Sequence, residues 1–380
     1  MILSYGKQYI DKSDEKFILK SIYDTKITDG KYVRLFENKI KEKLKSKYCI
    51  SCNSATSGLL LSLKSIGVKK NDVIIMPAVN FVASYSTSTL LGAKTILCDV
   101  DKITGQITPE TVQKCIKLNK LKKIKALITM YLGGYPHDAY NFFKLKKKYN
   151  FFIIEDACHA FGATYSYKNK KIFIGSNKHS DVSVFSFHPV KPITTGEGGA
   201  ITTNNAKIYN KLKILRSHGI IRKKEYWNYD IKELSLNFRI SDINCALGIS
   251  QIKKLGNFLK KRETIYKWYK EFLFHHKDVK LISFNKEVNP SFHLILLNIN
   301  FNKFNIDKNI FIKKLNKKKI YPQVHYKPLQ TFHFFKDDSN NLKNSIEYAK
   351  NTISIPVFHS ITKKDVKKVV SNIKKILKIN

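Results

Sequence analysis

Between residues 48 and 205 short apolar runs rich in β-branched side chains alternate with longer stretches whose apolar positions recur every three or four residues. A period near two followed by a period near 3.6 is the pattern of strands and helices in turn. The predicted strands are 48–52, 72–77, 94–100, 125–132, 151–156, 181–187 and 199–203. Several are apolar throughout, as strands buried on both faces are. Such alternation predicts an α/β sheet covered by helices on both sides, mostly parallel. Ligands of open α/β sheets gather beyond the carboxyl ends of the strands. The residues just after each run are therefore the first candidates for chemistry.

From 207 to 275 the pattern reads as helical, and 289–300 reads as a strand. Residues 306–320 and the lysine-rich tail after Lys363 read as helices. The expected organisation is a large α/β domain over 1–245, with its N-terminal segment contributing to the site, and a smaller α+β domain over 246–380. No repeat or low-complexity linker separates them, which predicts that they dock tightly.

The chain has 380 residues, 43% of them hydrophobic, enough to bury a large core. No run approaches the roughly 18 apolar residues of a membrane span, and the opening MILSYGKQYIDKSDE meets charge before a signal-peptide core could form. Six scattered cysteines suit a reducing compartment, and a cytoplasmic protein is expected. Cys49 and Cys52 form a C-x-x-C inside a predicted strand, but no second pair follows at zinc spacing. Lys and Arg outnumber Asp and Glu 69 to 29, a net charge of +40. That balance alone points to nucleic acid or an acidic surface. The basic residues are spread along the whole chain beside Asn and Ile, however, and no nucleic-acid motif accompanies them. A compositional bias explains the charge better than nucleic-acid binding, and no metal site is expected.

Three segments carry candidate chemistry. Lys191 follows a predicted strand in a turn bounded by Pro189 and Pro192, ahead of the glycine-rich 196–199. A lysine so confined can serve as a carbonyl-capturing nucleophile; an exposed loop lysine is the plainer alternative. Asp156 ends the apolar run FFIIED at the mouth of the sheet, with Cys158 and His159 close behind. An acid there can hold a ring nitrogen protonated, as pyridoxal phosphate requires, or simply cap a helix. His159 reads equally as a buried core histidine. N-S-A-T-S-G at 53–58 opens an apolar helix, where free N–H groups and the helix dipole favour a phosphate; an ordinary N-cap has the same text. The three suit one ligand: a lysine for an aldehyde, an acid for a ring nitrogen, a helix end for a phosphate.

E-D-A-C-H-A (155–160), F-S-F-H-P-V-K-P-I-T-T-G-E-G-G (185–199), R-S-H-G-I (216–220) and N-F-R-I-S-D-I-N-C-A-L-G (237–248) resemble, in order, the sugar aminotransferases of the DegT/DnrJ/EryC1/StrS family. That family lies within the fold-type I pyridoxal phosphate enzymes. The likeness continues through Q-V-H-Y-K-P (323–328) and S-I-P-V-F (354–358). It implies pyridoxal 5'-phosphate as cofactor and a homodimer with shared active sites. L-glutamate is the implied amino donor and a UDP-linked 4-keto-6-deoxy sugar the implied acceptor.

By that resemblance Lys191 takes the cofactor aldehyde and then moves the proton between substrate and cofactor carbons. Asp156 pairs with the ring nitrogen, and His159 lies near the ring. Ala55, Thr56 and Ser57 hold the phosphate, Phe81 offers a stacking face, and Ser186 touches cofactor or substrate. Asn237 reaches the partner's site. Tyr5, Lys26, Ile27, Thr28, Asp29, Ser54, Ser186, Val324, His325, Tyr326 and Lys327 match positions lining the sugar-nucleotide pocket. Phe81, His325 and Tyr326 also have a plain packing reading. Two departures touch substrate recognition: Thr28-Asp29-Gly30-Lys31 replaces an uncharged turn ending Gly-Pro, and Pro290-Ser291-Phe292-His293 lacks the first histidine of a His-x-aromatic-His text. An aminotransferase for a GDP-linked sugar, and a basic nucleic-acid binder on the same fold, are the competing expectations.

Overall fold

The computed structural model describes residues 2–225, 227–273, 276–335 and 342–379. The chain opens with β1 (Leu3–Ser4) and the helices α1 (Lys12–Ile22) and α2 (Lys31–Leu44). Asp11 and Asp14 start α1 by a reciprocal capping box, while Lys45 in the left-handed region ends α2. Strand and helix then alternate through β2 (Tyr48–Cys52), α3 (Ala55–Ser65), β3 (Val73–Pro77), α4 (Val82–Leu90), β4 (Lys94–Cys98), α5 (Pro109–Leu118), β5 (Ala126–Met130), α6 (Ala139–Tyr149) and β6 (Phe152–Asp156). Thr108 caps α5, with proline in its first turn where no N–H is missed. A side ribbon, β7 (Thr164–Tyr167) and β8 (Lys170–Phe173), precedes β9 (Val182–Ser186) and β10 (Gly199–Thr203).

The central sheet has seven strands in the order β2-β10-β9-β6-β5-β3-β4. All its pairings are parallel except those of β10, which runs antiparallel to β2 and β9. Every residue of β5 is buried, as helices on both faces require. Each of the seven predicted strands is present, β2 and β10 with their predicted bounds.

Beyond the sheet come α7 (Ala206–Arg216), a hairpin of β11 (Ile220–Arg222) and β12 (Tyr229–Ile231), and α8 (Asp242–Leu273). The hairpin corrects the helical reading of 207–275. Its strands carry Ile221, Tyr229 and Ile231 exposed, so no buried stripe marks the period. The remaining elements are β13 (Val279–Leu281), β14 (Val288–Asn289), β15 (Ile295–Ile299), α9 (Lys308–Asn316), β16 (Ile320–Tyr321), α10 (Lys343–Asn351), β17 (Thr352–Ile355) and α11 (Lys363–Leu377). A three-stranded antiparallel sheet, β13-β15-β17, forms the core of this part, and β14 joins the ribbon as β14-β7-β8. α11 buries Val366, Val369, Val370, Ile373 and Leu377, one face at helical spacing.

α8 is 32 residues long and crosses position 245 without a break. Its first half packs Cys245, Ala246, Ile249, Ile252, Leu255 and Phe258 into one apolar cluster, with Phe36, Phe161 and Phe187. Its second half packs Ile265, Tyr266, Tyr269 and Leu273 into another, with β15 and α11. Among the described residues no helix is long and apolar enough to cross a membrane.

Candidate active site

The carboxyl ends of β6 and β9, the start of α3 and the segment 323–326 enclose a cavity of about 570 Å³. β6 delivers Asp156, which is 3% exposed. Its Oδ1 accepts the Cys158 N–H at 3.2 Å and its Oδ2 the Ser84 hydroxyl at 3.3 Å. No cation pairs with it among the described residues, although a buried carboxylate ordinarily has one. It is therefore suited to receive a positively charged N–H from a ligand.

Lys191 faces the same cavity. It follows β9 on a turn closed by its own N–H donating to the His188 carbonyl at 2.9 Å. The loop is laced by the Phe187 N–H to Gly198 and by the Thr194 hydroxyl and Thr195 N–H to Phe187. Its amine forms no ion pair among the described residues. Burial pushes the ammonium below its usual range; Cys158 and Asp156 oppose that, and Arg262 adds to it. A lysine with a depressed ammonium is a stronger nucleophile near neutral pH.

α3 begins at the cavity wall because Ser54 caps it, its Oγ accepting the Ser57 N–H at 3.1 Å. Ala55 and Thr56, next in the first turn, line the cavity. β10 can lie against this start only because residue 199 is glycine: a Cβ there would stand 2.6 Å from the carbonyl carbon and oxygen of Ser54. The helix end is thus held toward the cavity, where an anion is favoured.

His159 is buried, and desolvation first, then the Lys191 charge, hold it well below its ordinary value. It is neutral, and its tautomer follows from its partners. The Gly133 N–H donates to Nδ1 at 3.2 Å, so Nδ1 carries no hydrogen. Nε2 carries it instead and donates to the Tyr326 hydroxyl oxygen at 3.1 Å. No other described group accepts from Tyr326, which leaves its own O–H to point at whatever the cavity holds. His325 is held at about 3 by burial and by Lys191, and its Nδ1 lies 2.7 Å from the Ser354 hydroxyl. The Tyr5 ring stands 5.0 Å from His325 and the Phe81 ring 5.8 Å from Tyr326.

Of the candidates read from the sequence, Lys191, Asp156, His159, Ala55, Thr56, Phe81, Ser186, Tyr5, Ser54, Val324, His325 and Tyr326 meet on this one cavity. Ser57 lies one residue further into α3, with its hydroxyl donating to Asn53 at 2.6 Å. Lys327 is exposed, its amine over the Phe332 ring. Lys26, Ile27, Thr28 and Asp29 are exposed and stand off the cavity. They are tied to the start of α8: Thr28 bridges Ser241, and the Asp242 N–H donates to the Ile27 carbonyl at 2.9 Å. Asp29 pairs with Arg216 at 3.2 Å, and Arg216 also pairs with Glu37 at 2.8 Å. Asn237, exposed near the same helix start, receives the Asn53 amide at its carbonyl.

Four polar residues on the cavity wall were missed: His188, Glu197, His293 and Gln323. His293 is 3% exposed with its Nδ1 unpartnered, and its ring centroid is 4.2 Å from that of His159. The signal for His188 and Glu197 was available, since both lie within the segment around Lys191. His293 and Gln323 also lie within quoted segments, 290–293 and 323–328, though neither was singled out. Cys49 and Cys52 are both buried and unbridged, and no cluster of metal-ligating side chains occurs among the described residues.

A profile of the DegT/DnrJ/EryC1/StrS aminotransferase family matches residues 8–374. Over 381 aligned residues, covering 99% of this chain and 98% of the other, it is 37% identical to the UDP-4-amino-4,6-dideoxy-N-acetyl-beta-L-altrosamine transaminase of Campylobacter jejuni strain 81-176. It is 31% identical over 264 residues, 70% of this chain and 68% of the other, to the GDP-perosamine synthase of Escherichia coli O157:H7. The solved structure of Helicobacter pylori PseC, an aminotransferase of pseudoaminic acid biosynthesis, superimposes with a TM-score of 0.91 at 29% identity over the whole of both chains.

Proposed function

The chain belongs to the DegT/DnrJ/EryC1/StrS aminotransferase family, and from that premise we propose that it transfers the amino group of L-glutamate to the C4 keto group of a UDP-linked 4-keto-6-deoxy-N-acetylhexosamine, with pyridoxal 5'-phosphate as cofactor. The product is a UDP-4-amino-4,6-dideoxy sugar of the kind used for pseudaminic acid and surface glycans. One observation carries the reading: Lys191, without an ion-pair partner among the described residues, and Asp156, a buried carboxylate without a cation among them, face one cavity that also takes in the start of a helix. Similarity to the altrosamine transaminase over nearly the full length of both chains supports the choice of sugar.

Pyridoxal phosphate, when bound, supplies an aldehyde and a protonated ring that draws electrons from the carbon bearing nitrogen. The chain's residues divide the remaining work. Asp156 would hold the ring N–H and so keep the positive charge in place. The N–H groups of Ala55 and Thr56 would receive the phosphate, where the helix dipole favours it. Phe81 offers its exposed ring as an apolar face. Lys191 would take a proton at Nζ from the substrate carbon and return it to the cofactor carbon on the other side of the nitrogen between them, as general base and then general acid. Tyr326 donates its O–H to an oxygen of the bound ligand, its direction fixed by the Nε2–H of His159. Tyr326→Phe is therefore expected to lower turnover about tenfold, the equivalent of one hydrogen bond to a charged group, with an unchanged circular dichroism spectrum. Steady-state rates on the two proteins check it.

The proposal includes a homodimer in which Lys26 to Asp29 and Asn237 serve the partner's site. Their exposure, and their position off the cavity of their own chain, support it. Six unbridged cysteines support a reducing, cytoplasmic setting.

Incubating purified protein with L-glutamate and UDP- or GDP-linked 4-keto-6-deoxy sugars tests the function. The expected result is a UDP-4-amino sugar and 2-oxoglutarate, with configuration at C4 assigned by NMR. Turnover with the GDP sugar alone would overturn the choice of substrate.

A further inference from the structure

Lys191 also forms part of the wall of a second, smaller cavity of about 20 Å³, with Pro189, Thr194, Gln251, Arg262 and His359. A space of that size holds about one water. Arg262 comes from the middle of α8 and is 4% exposed. Its Nη1 donates to the carbonyl oxygens of Phe292 and His293, each at 3.2 Å. Among the described residues nothing accepts from its Nε or Nη2, and no carboxylate pairs with it. Burial brings it down to about 10, which leaves it charged at neutral pH. Buried cations ordinarily stand beside an acid. This one instead shares a cavity wall with Lys191, and that wall contains no acidic side chain.

We propose that Arg262 is a positioning residue for Lys191: it stands behind that side chain at the small cavity with no acid on the shared wall, and its two backbone bonds hold His293 at the cleft. The balance on Lys191 is set from several elements. At the end of β6, Asp156 and Cys158 favour the charged amine. His159 from the same segment, His293 ahead of β15 and His325 ahead of Tyr326 are all neutral, held low by burial first. His188 and Glu197, from the loop of Lys191 itself, and the hydroxyls of Tyr5 and Tyr326 face the large cavity. Lys7 and His359 face the small one. A cation close to an amine in a desolvated setting destabilises the ammonium, since like charges repel more strongly where water is excluded. The family reading makes Lys191 the nucleophile; Arg262 stands behind it across the small cavity.

The inference rests on Lys191 being the aldehyde-capturing amine, so the experiment separates the two. Cofactor-free protein is mixed with pyridoxal phosphate over a pH series, capture is followed by absorbance, and the borohydride-reduced adduct is located by peptide mapping. Capture should rise with pH to an inflection below 10.5, the ordinary lysine value, in the wild type. Arg262→Met should raise that inflection, and Arg262→Lys, which keeps the charge, should leave it in place. Loss of packing alone would lower the melting temperature of the Met variant without moving the inflection. An unmoved inflection in Arg262→Met overturns the inference. So does a wild-type inflection at 10.5, a result that needs no variant to fold. An adduct mapped to another lysine overturns this inference and the proposed role of Lys191 together.

Discussion

Lys191→Ala is expected to abolish amino transfer while leaving the melting temperature of the protein close to that of the wild type. The side chain makes no ion pair among the described residues, and its loop is held by other groups. Those are the backbone bonds of Phe187 with Gly198 and Thr195, the Thr194 hydroxyl on Phe187, and the Asn244 amide on the Thr195 carbonyl at 2.5 Å. Truncation therefore removes chemistry and leaves the scaffold. Loss of general acid–base catalysis alone is worth about 10²–10⁴-fold, and loss of the covalent tether adds to it. Product formation measured by chromatography, with borohydride trapping and peptide mapping, checks the prediction. Turnover within tenfold of wild type would remove Lys191 from the mechanism.

The second large effect is expected of Asp156→Asn. The replacement keeps the size and can keep both contacts, since the amide oxygen accepts the Cys158 N–H and the amide N–H₂ can donate to the Ser84 hydroxyl. What disappears is the negative charge. Removing one partner of a buried charge pair costs about 2–5 kcal/mol, or roughly 30- to 4,000-fold at about 1.4 kcal/mol per decade. The loss should fall on turnover and on cofactor retention together, because both need the protonated ring. Activity with saturating cofactor and the cofactor dissociation constant measure the two parts. A variant that retains wild-type turnover would show that the carboxylate serves only to cap the segment 157–159.

The central sheet was legible because its strands are buried on both faces, so their hydrophobic runs are nearly continuous and end where polar loops begin. β2 and β10 have their predicted bounds, and Asp156 stands at a strand end as the run FFIIED indicates. Lys191 was marked by proline on either side. The hairpin at 220–231 was not legible, since its strands are three residues long and their apolar side chains are exposed, so no buried face marks a strand. The ribbon β7-β8 was missed as well: it is closed in part by β14 from more than a hundred residues away, a pairing that local text does not encode. His293 lay within the segment 290–293 linked to substrate recognition, but its place beside His159 follows from the fold. The left-handed Asp29 and its pairing with Arg216 give the departure in that early turn a physical form, a shared cation linking it to Glu37.

At 1.5 Å per residue α8 is about 48 Å long, and its role extends beyond packing. Near one end the Asp242 carboxylate accepts the N–H groups of Gly30 and Tyr32 at 2.8 Å, and midway Arg262 grips the carbonyls of Phe292 and His293. A strut rooted in both apolar clusters resists bending, so the two sides of the cleft are braced as a single frame. Admission of a bulky nucleotide sugar then falls to small excursions of surface segments around a fixed opening rather than to a jaw-like closure.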